Sequence, residues 1–469
     1  MELLSKSELQ TAVHAALKAW GDLSGTATNL LEPLLLVQQA RAQTNGDSPT
    51  TRRLATNQVL LNGIETMENQ QISGSEILRL RFMEDNTILM AGNKLSLTED
   101  QTKRHQREAI NNLTQIIWDH EMAIRQEQVQ LMQANLMPSG YSQLFGVEAQ
   151  AAELVSLLQK EDAPWVIALV GIGGIGKTSL ADTAVRQAIQ QFQYRQVVWY
   201  RVDQTKIELG EQENKRPKDI ILHELAKKIC PNLPQSTSFN QCKTQLNQTL
   251  KQVSHLVIID NMETDDEVAF LPEELADLAN PSKFLLTTRV RLPASTSVHN
   301  LTLSELSLED ATNLLRHQAQ AINLQELAEI PTKVMRQIYE VTGGNPLAMK
   351  LVVGLTAVLP LPQILEDLTQ VHTSEIEDMY RRIYWRAWQS LDKNAQNLLE
   401  MMPMSAGIGM KPEQIQASVD LSDAEFWPAI KTLVNRSLLE VRGTIMERRY
   451  GIHQLTNTFL QTEIIHWPE

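Results

Sequence analysis

A chain of 469 residues with 42% hydrophobic, 21% charged and 5% aromatic residues has the composition of an ordinary folded protein. It is long enough for roughly two to four domains with cores of their own, and long disordered regions are not expected. A net charge of −14 at pH 7 argues against broad, non-specific nucleic-acid binding. The two cysteines, Cys230 and Cys242, make neither a metal-ligand spacing nor a disulfide framework, no apolar run reaches the ~18 to 20 residues of a membrane span, and MELLSKSELQ lacks the basic-then-apolar pattern of a signal peptide. A cytoplasmic protein without a membrane partner is the expectation.

Residues 1 to 43 carry apolar side chains at helical spacing: Leu9, Val13, Ala16, Leu17 and Trp20, then Leu30, Leu34, Leu35 and Val37. TNGDSP at 44–49 predicts a loop, and helical spacing resumes from Arg53 to Glu68. Residues 76–117 then resemble the helix-turn-helix of region 4 in bacterial sigma factors. Gly92 allows close helix approach, Leu95 and Leu97 flank the turn, Thr98 is the expected N-cap, and Ala109 and Leu113 face the core. A DNA reader would offer Gln101, Lys103, Arg104 and Arg107 to the major groove, but Glu99, Asp100 and Glu108 dilute that charge. A protein-interaction or structural module is therefore favoured over DNA contact. Pro138 and Gly140 in ANLMPSG, 134–140, end the helix and mark a linker.

The central stretch is GIGGIGKTS, Gly171 to Ser179, which fits the phosphate-binding pattern G-x-x-x-x-G-K-[ST]. Trp165 to Val170 before it has the composition of a buried strand, and Leu180 to Gln191 after it reads as an amphipathic helix. A turn there lets the backbone N–H groups around Gly171, Gly173, Gly174, Ile175 and Gly176 close on a phosphate at the positive end of the helix dipole. Lys177 would reach the β- and γ-oxygens, with Thr178 holding Mg²⁺ and Ser179 beside it. Gln196 to Val202 alternates as a strand and Pro217 to Ile229 reads as a helix. His255 to Asp260 is an apolar run that delivers a carboxylate at its C-terminal end, where Asp260 would serve Mg²⁺ directly or through water. Asn261 follows it, and the strand Lys283 to Thr288 leads into Arg289.

These motifs, in this order, resemble the NB-ARC ATPases of the signal-transducing (STAND) P-loop class over about residues 141 to 465. In YSQLFGVEAQAAELVSLL, Phe145, Gly146 and Glu148 match the segment that places the chain near adenine, while Val147 stands where the family has Arg. The resemblance implies that Arg289 contacts the γ-phosphate and that Leu301 to Ala319 links into a small helical subdomain. TGGNPLAMKLVVGLTA, Thr342 to Ala357, is similar to the family's Gly-Leu-Pro-Leu motif, which puts Pro346 against the adenine ring and Leu347 in the pocket wall. The text from Tyr384 resembles a winged-helix domain with its wing around Arg442 to Thr444, and Ile452-His453-Gln454 occupies the Met-His-Asp position, where His453 would touch the β-phosphate. Gln454 departs from the Asp and leaves that residue's helix-capping role unfilled. Asn261 stands where a second acid is common. An amide cannot accept a proton, so slow hydrolysis is implied, with Glu263, Asp265 and Asp266 as substitute acids.

The expected fold is α/β: a P-loop NTPase parallel sheet at 141–300, flanked by an all-helical N-terminal module at 1–135 (helix-turn-helix-like at 76–125), a small helical subdomain at 301–372 and a winged-helix domain at 373–469. The family's C-terminal repeat sensor is expected to be absent. The implied activity is an ATP/ADP switch in which ADP holds a closed monomer and ATP favours a homo-oligomer. Lys177, Asp260, Asn261 and Arg289 form the implied catalytic set, and a protein partner would supply the sensor or effector. Two rival readings remain: a DNA-binding transcription regulator gated by ATP, reading through the Thr98 to Arg107 helix, and a nucleotide-bound scaffold that never cycles.

Overall fold

The computed structural model describes residues 4–22, 29–43, 48–134, 136, 139–202, 216–231, 233–234, 237–262, 265–293, 298–369, 376–404, 409–444 and 446–465. They fall into two compact units, Met1–Gln133 and Ala134–Glu469. Among the described residues no helix is long and apolar enough to cross a membrane.

The first unit is built from α1 (Lys6–Lys18), α2 (Leu35–Gln43), α3 (Pro49–Asn69), α4 (Ser75–Leu78) running into a π-helical turn (Arg79–Met83), α5 (Ile88–Leu95) and α6 (Glu99–Ala134). Residues 44–47 of the expected loop lie outside the described residues, and its last two residues start α3: Ser48 caps it and Pro49 takes the first turn, where a missing N–H costs nothing. Leu9, Val13 and Leu17 of α1, Leu60 and Ile64 of α3, and Ala109, Leu113 and Ile117 of α6 share one core. At Gly63 an added Cβ would sit 2.6 Å from Leu113 Cδ1, so α3 and α6 cross where no side chain fits. Gly92 is crowded in the same way, by the Thr102 hydroxyl at 2.6 Å. Thr98 Oγ1 accepts from Gln101 N and Gln101 Oε1 accepts from Thr98 N, a reciprocal cap that begins α6. Gln101, Lys103, Arg104 and Arg107 are all exposed. Lys103 is paired with Glu99 at 2.6 Å, which neutralises part of that face.

The second unit begins with α7 (Glu148–Gln159), β1 (Val166–Val170), α8 (Lys177–Ala188), β2 (Gln196–Arg201), α9 (Pro217–Ile229), α10 (Phe239–Gln252), β3 (His255–Met262), α11 (Asp265–Leu278), β4 (Lys283–Thr288) and β5 (Val298–Thr302). The strands form one parallel sheet in the order β2-β3-β4-β1-β5. Every residue of β1 and β4 is buried, as a sheet covered on both faces requires; β1 accordingly reads as an unbroken apolar run, and β4 carries Phe284 to Leu286 between Lys283 and two threonines. The sheet's C-terminal edge carries the ends of β1, β2, β3 and β4, which is where ligands bind in folds of this kind.

Beyond the sheet come α12 (Leu308–Ala321), α13 (Gln325–Ala328), α14 (Thr332–Thr342), α15 (Pro346–Thr356), α16 (Leu361–Thr369), α17 (Ile376–Gln389), α18 (Lys393–Met401), α19 (Pro412–Ser418) and α20 (Asp423–Asn435). A hairpin, β6 (Glu440–Gly443) with β7 (Arg448–Gly451), then leads to α21 (Gln454–Phe459) and a π-helical turn (Leu460–Ile465). Gly343 in the left-handed region stops α14, and Asn345 with Pro346 restarts the chain as α15. One apolar core runs through this half, from Leu306, Leu315 and Met335 to Tyr384, Leu398, Phe426 and Leu460. A two-stranded hairpin lies where the wing is expected, with Arg442 and Gly443 paired with Arg449 and Arg448, so its turn falls after Gly443.

Candidate nucleotide-binding site

β1 ends at Val170 and the chain turns at once into the glycine-rich loop. Gly174 (φ 73°) and Gly176 (φ 103°) take left-handed conformations that cost a side-chain-bearing residue dearly. The loop closes on α8, whose first residue is Lys177. Lys177 Nζ lies back across the loop, donating to the carbonyls of Gly171 (2.8 Å) and Ile172 (3.0 Å).

β3 brings a carboxylate to the same place. Asp260, 2% exposed, accepts at Oδ1 from the hydroxyls of Thr178 (2.8 Å) and Thr287 (2.6 Å). The β3–β4 register shifts between Ile259 and Met262, and Asn261 in that irregularity has φ 75°, a conformation Asn tolerates better than most residues. Its backbone N–H donates to Thr287 Oγ1, while its side-chain Nδ2 is buried with no hydrogen-bond partner. Thr287 thus ties Asp260 and Asn261 together, a role the sequence did not single out. Glu263 lies outside the described residues.

Phe145, Gly173, Gly174, Ile175, Gly176, Lys177, Thr178, Ser179, Asp260, Asn261, Arg289, Pro346, Leu347 and His453 all line one cavity. Two expected binding residues do not. Gly171 stands behind the loop, where an added Cβ would meet the Leu303 carbonyl at 3.0 Å, and Gly146 (φ 65°) turns the chain past the Asp310 carboxylate. Both glycines answer to packing.

The wall also holds Tyr141, Asp182, Trp199, Arg201, Lys350, Glu440, Arg442 and Leu455, none of them anticipated. Arg201 reaches the wall because it ends β2 in register with Asp260 on the sheet's functional edge. Asp182 of α8 accepts from Ser139 Oγ and Tyr141 OH, both at 2.8 Å, which fastens the segment entering the second unit to the helix that follows the loop. Burial pushes Tyr141 up to about 12, so its hydroxyl keeps its proton. Glu440 and Arg442 pair at 2.6 Å across the hairpin strand. Burial works to raise Glu440, but Arg442 and Arg201 hold it below its ordinary value.

His453 is a half-buried residue of this wall, not a surface one. It is itself the N-cap of α21, its Nδ1 accepting from Leu455 N at 3.1 Å, so the cap does not depend on Gln454. That bond makes Nε2 the proton-bearing nitrogen. Burial lowers its pKa to about 4, with Arg201, Lys177 and Arg442 acting the same way against Glu440, so the ring is neutral at pH 7.

A parallel sheet with a glycine-rich loop between its β1 strand and the next helix, a Lys-Thr pair opening that helix and a buried Asp at the end of β3 define a P-loop nucleotide-binding fold. Residues 147–325 match the NB-ARC domain model. Probable disease resistance proteins RF45 and RDL5 of Arabidopsis thaliana are each 27% identical over 225 residues, 46% of this chain and 21% of theirs. The matched region spans about a quarter or less of the curated relatives' length. Among solved structures, the Signal Transduction ATPase with Numerous Domains protein with a tetratricopeptide repeat sensor from Pyrococcus horikoshii is 18% identical, with a TM-score of 0.42, covering 69% of this chain and 43% of that one. The Aeropyrum pernix ORC1 protein in complex with DNA is 15% identical with a TM-score of 0.31, covering 69% of this chain and 94% of that one. Residues 147–325 are thus similar to an NB-ARC domain, set in a P-loop nucleotide-binding fold.

Proposed function

We propose that the chain is an ATP/ADP switch that changes conformation and self-association on nucleotide exchange. The observation that supports this is the makeup of the cavity wall: the phosphate loop, the α15 start and the β6–α21 region, widely separated in sequence, line one space. A nucleotide there would bridge the loop and the α15 start to the β6–α21 region, so its dissociation and the separation of that region would be linked. Lys177 and Arg289 would meet phosphate oxygens, Pro346 and Leu347 would line the base, and the Nε2–H of His453 would donate to the β-phosphate. ADP would favour the closed monomer. ATP would favour an open form that assembles with further copies, and the region from residue 373, read as a winged helix, would be the moving part.

The donor set also suits Mg²⁺. Thr178 Oγ1 and Asp260 Oδ1 are hard oxygen donors 2.8 Å apart on the wall, and this ion needs only one or two protein oxygens beside phosphates and water. These two would hold it, and it would offset phosphate charge. Asn261 in place of a second acid supports slow turnover. The N-terminal unit would recruit a protein sensor or effector, and a cytoplasmic setting suits the two buried free thiols, Cys230 and Cys242.

The deciding measurement is the nucleotide that remains bound after purification, read by chromatography of the denatured protein, together with light scattering in ADP and in ATP. Bound ADP on a monomer and a larger mass in ATP are expected. A chain that retains no nucleotide and keeps one mass under all conditions would overturn the proposal.

A further inference from the structure

The phosphate loop is also gripped by residues of the helical layer beyond the sheet. The Gly173 carbonyl accepts from Asn345 Nδ2 at 2.9 Å, and Asn345 is completely buried. The same side chain uses its oxygen three times: it accepts from Leu347 N (3.0 Å), Ala348 N (3.3 Å) and Tyr380 OH (2.6 Å). Tyr380, on α17, lies 3.4 Å from the Gly173 carbonyl as well. At Gly174 there is no room for a side chain, because an added Cβ would run into the Tyr380 hydroxyl and Leu347 Cβ. The loop's two central glycines are thus fitted to α15 and α17.

The chemistry required at position 345 is narrow. Pro346 opens α15 without an N–H, so the donors left for a cap to satisfy are those of Leu347 and Ala348, and an oxygen is needed there. A carbonyl is needed to receive Tyr380, and an N–H is needed for Gly173. Asp supplies the oxygen without the donor, Ser caps but is too short to reach both ends, and Leu or Ala supplies nothing. An amide one methylene from the backbone meets every demand.

We propose that Asn345 is a positioning residue of the nucleotide site, a rigid tie that makes the phosphate loop and the Pro346–Leu347 wall move as one body. This rests on the nucleotide-switch reading for its biological consequence: displacement of the α15–α17 layer pulls directly on the backbone that cradles phosphate. The loop's shape is then set by the helical layer and not by the sheet alone.

The test uses the full chain. Asn345→Ser and Asn345→Asp both keep a cap for α15 and both lose the donor to Gly173, one without adding charge. Tyr380→Phe removes only the hydroxyl that orients the amide. Two readouts are followed: amide hydrogen exchange of the peptide spanning 171–177 without nucleotide, and stopped-flow release of a fluorescent ADP analogue. Exchange of the loop and release of the analogue are expected to rise about tenfold or more in the Asn345 variants and about threefold in Tyr380→Phe, with exchange of β1 and β4 unchanged. A role confined to helix capping predicts wild-type loop exchange and release in Asn345→Ser. That result, or wild-type values in Tyr380→Phe should both Asn345 variants fail to fold, overturns the proposal. Failure of the wild-type chain to bind the analogue rejects the nucleotide reading, and loop exchange then decides the tie by itself.

Discussion

Lys177 and Asn261 show how single side chains divide the work of this site. Lys177 Nζ already braces the loop through the Gly171 and Ile172 carbonyls, so Lys177→Ala removes a loop contact together with the proposed phosphate ligand. The residue packs into no apolar core, so the variant should keep its circular dichroism spectrum while losing ADP in equilibrium dialysis. Retention of ADP would remove the loop from the binding site. At Asn261 the backbone is held by Thr287 while Nδ2 finds no partner in a buried position. Replacing that donor with a carboxylate oxygen supplies a proton acceptor beside Asp260, and Asn261→Asp should raise kcat for ATP by about tenfold or more with KM little changed. A multiple-turnover phosphate-release assay reads this, and an unchanged kcat points to another group. His453 adds a pH signature. Its pKa falls from 6.5 to about 4 in the folded chain, so between those values the unfolded chain binds the extra proton. Its contribution to stability is complete above pH 6.5 and is lost as pH falls toward 4. His453→Gln should therefore lose less stability than wild type between pH 7 and 5 in urea titrations.

At the level of elements, the first unit depends on one buried ion pair that also acts as a cap. Glu121 of α6 accepts from Leu35 N and Leu36 N at the start of α2 and from Arg125 Nε at 2.7 Å, with both charged side chains 2% exposed. Glu121→Ala strips the N-terminus of α2 and leaves Arg125 without that carboxylate, which should cost about 3 to 5 kcal/mol. Urea-dependent amide exchange of residues 35–43 measures the loss. Nothing in the sequence pattern announced this pairing, because i,i+4 Glu-Arg spacing reads as a solvated helix face and tertiary packing alone buries it. The same division holds elsewhere. β1, β3, β4 and α9 were legible because full burial writes an apolar run at the strand's centre or a clear helical period. β5 was not, since VHNLT borders the sheet and mixes polar with apolar residues, nor was α10, whose buried face is only Cys242, Leu246 and Leu250. The phosphate loop and Asp260 were readable because local geometry forces their residue types. Thr287, Arg201, Glu440 and Arg442 were not, because only the sheet register and the hairpin carry them to the cavity.

At the scale of the whole molecule, the central question is whether the β6–α21 region latches onto bound nucleotide. His453 caps α21 through Nδ1, which fixes the ring and leaves Nε2–H as its donor. Leu455, two residues on, packs beside Gly173, where an added Cβ would lie 3.3 Å from its Cδ1. A neutral imidazole meets no charge penalty in the ligand-free chain, and a diphosphate placed beside it would favour its protonation and strengthen the contact. One such hydrogen bond contributes about 1.5 to 3 kcal/mol, enough to shift a closed-to-open equilibrium roughly tenfold or more. His453→Ala should speed release of a fluorescent ADP analogue by that factor and increase the oligomeric fraction in ATP, leaving Thr178 and Asp260 in place. His453→Asn is the control, because it keeps a side chain able to cap α21 while withdrawing the donor from phosphate. Fast release in both variants assigns the effect to the phosphate contact, and fast release in His453→Ala alone assigns it to the helix cap. If both release ADP at the wild-type rate and remain equally monomeric in ATP by light scattering, the β6–α21 region lines the cavity without latching it.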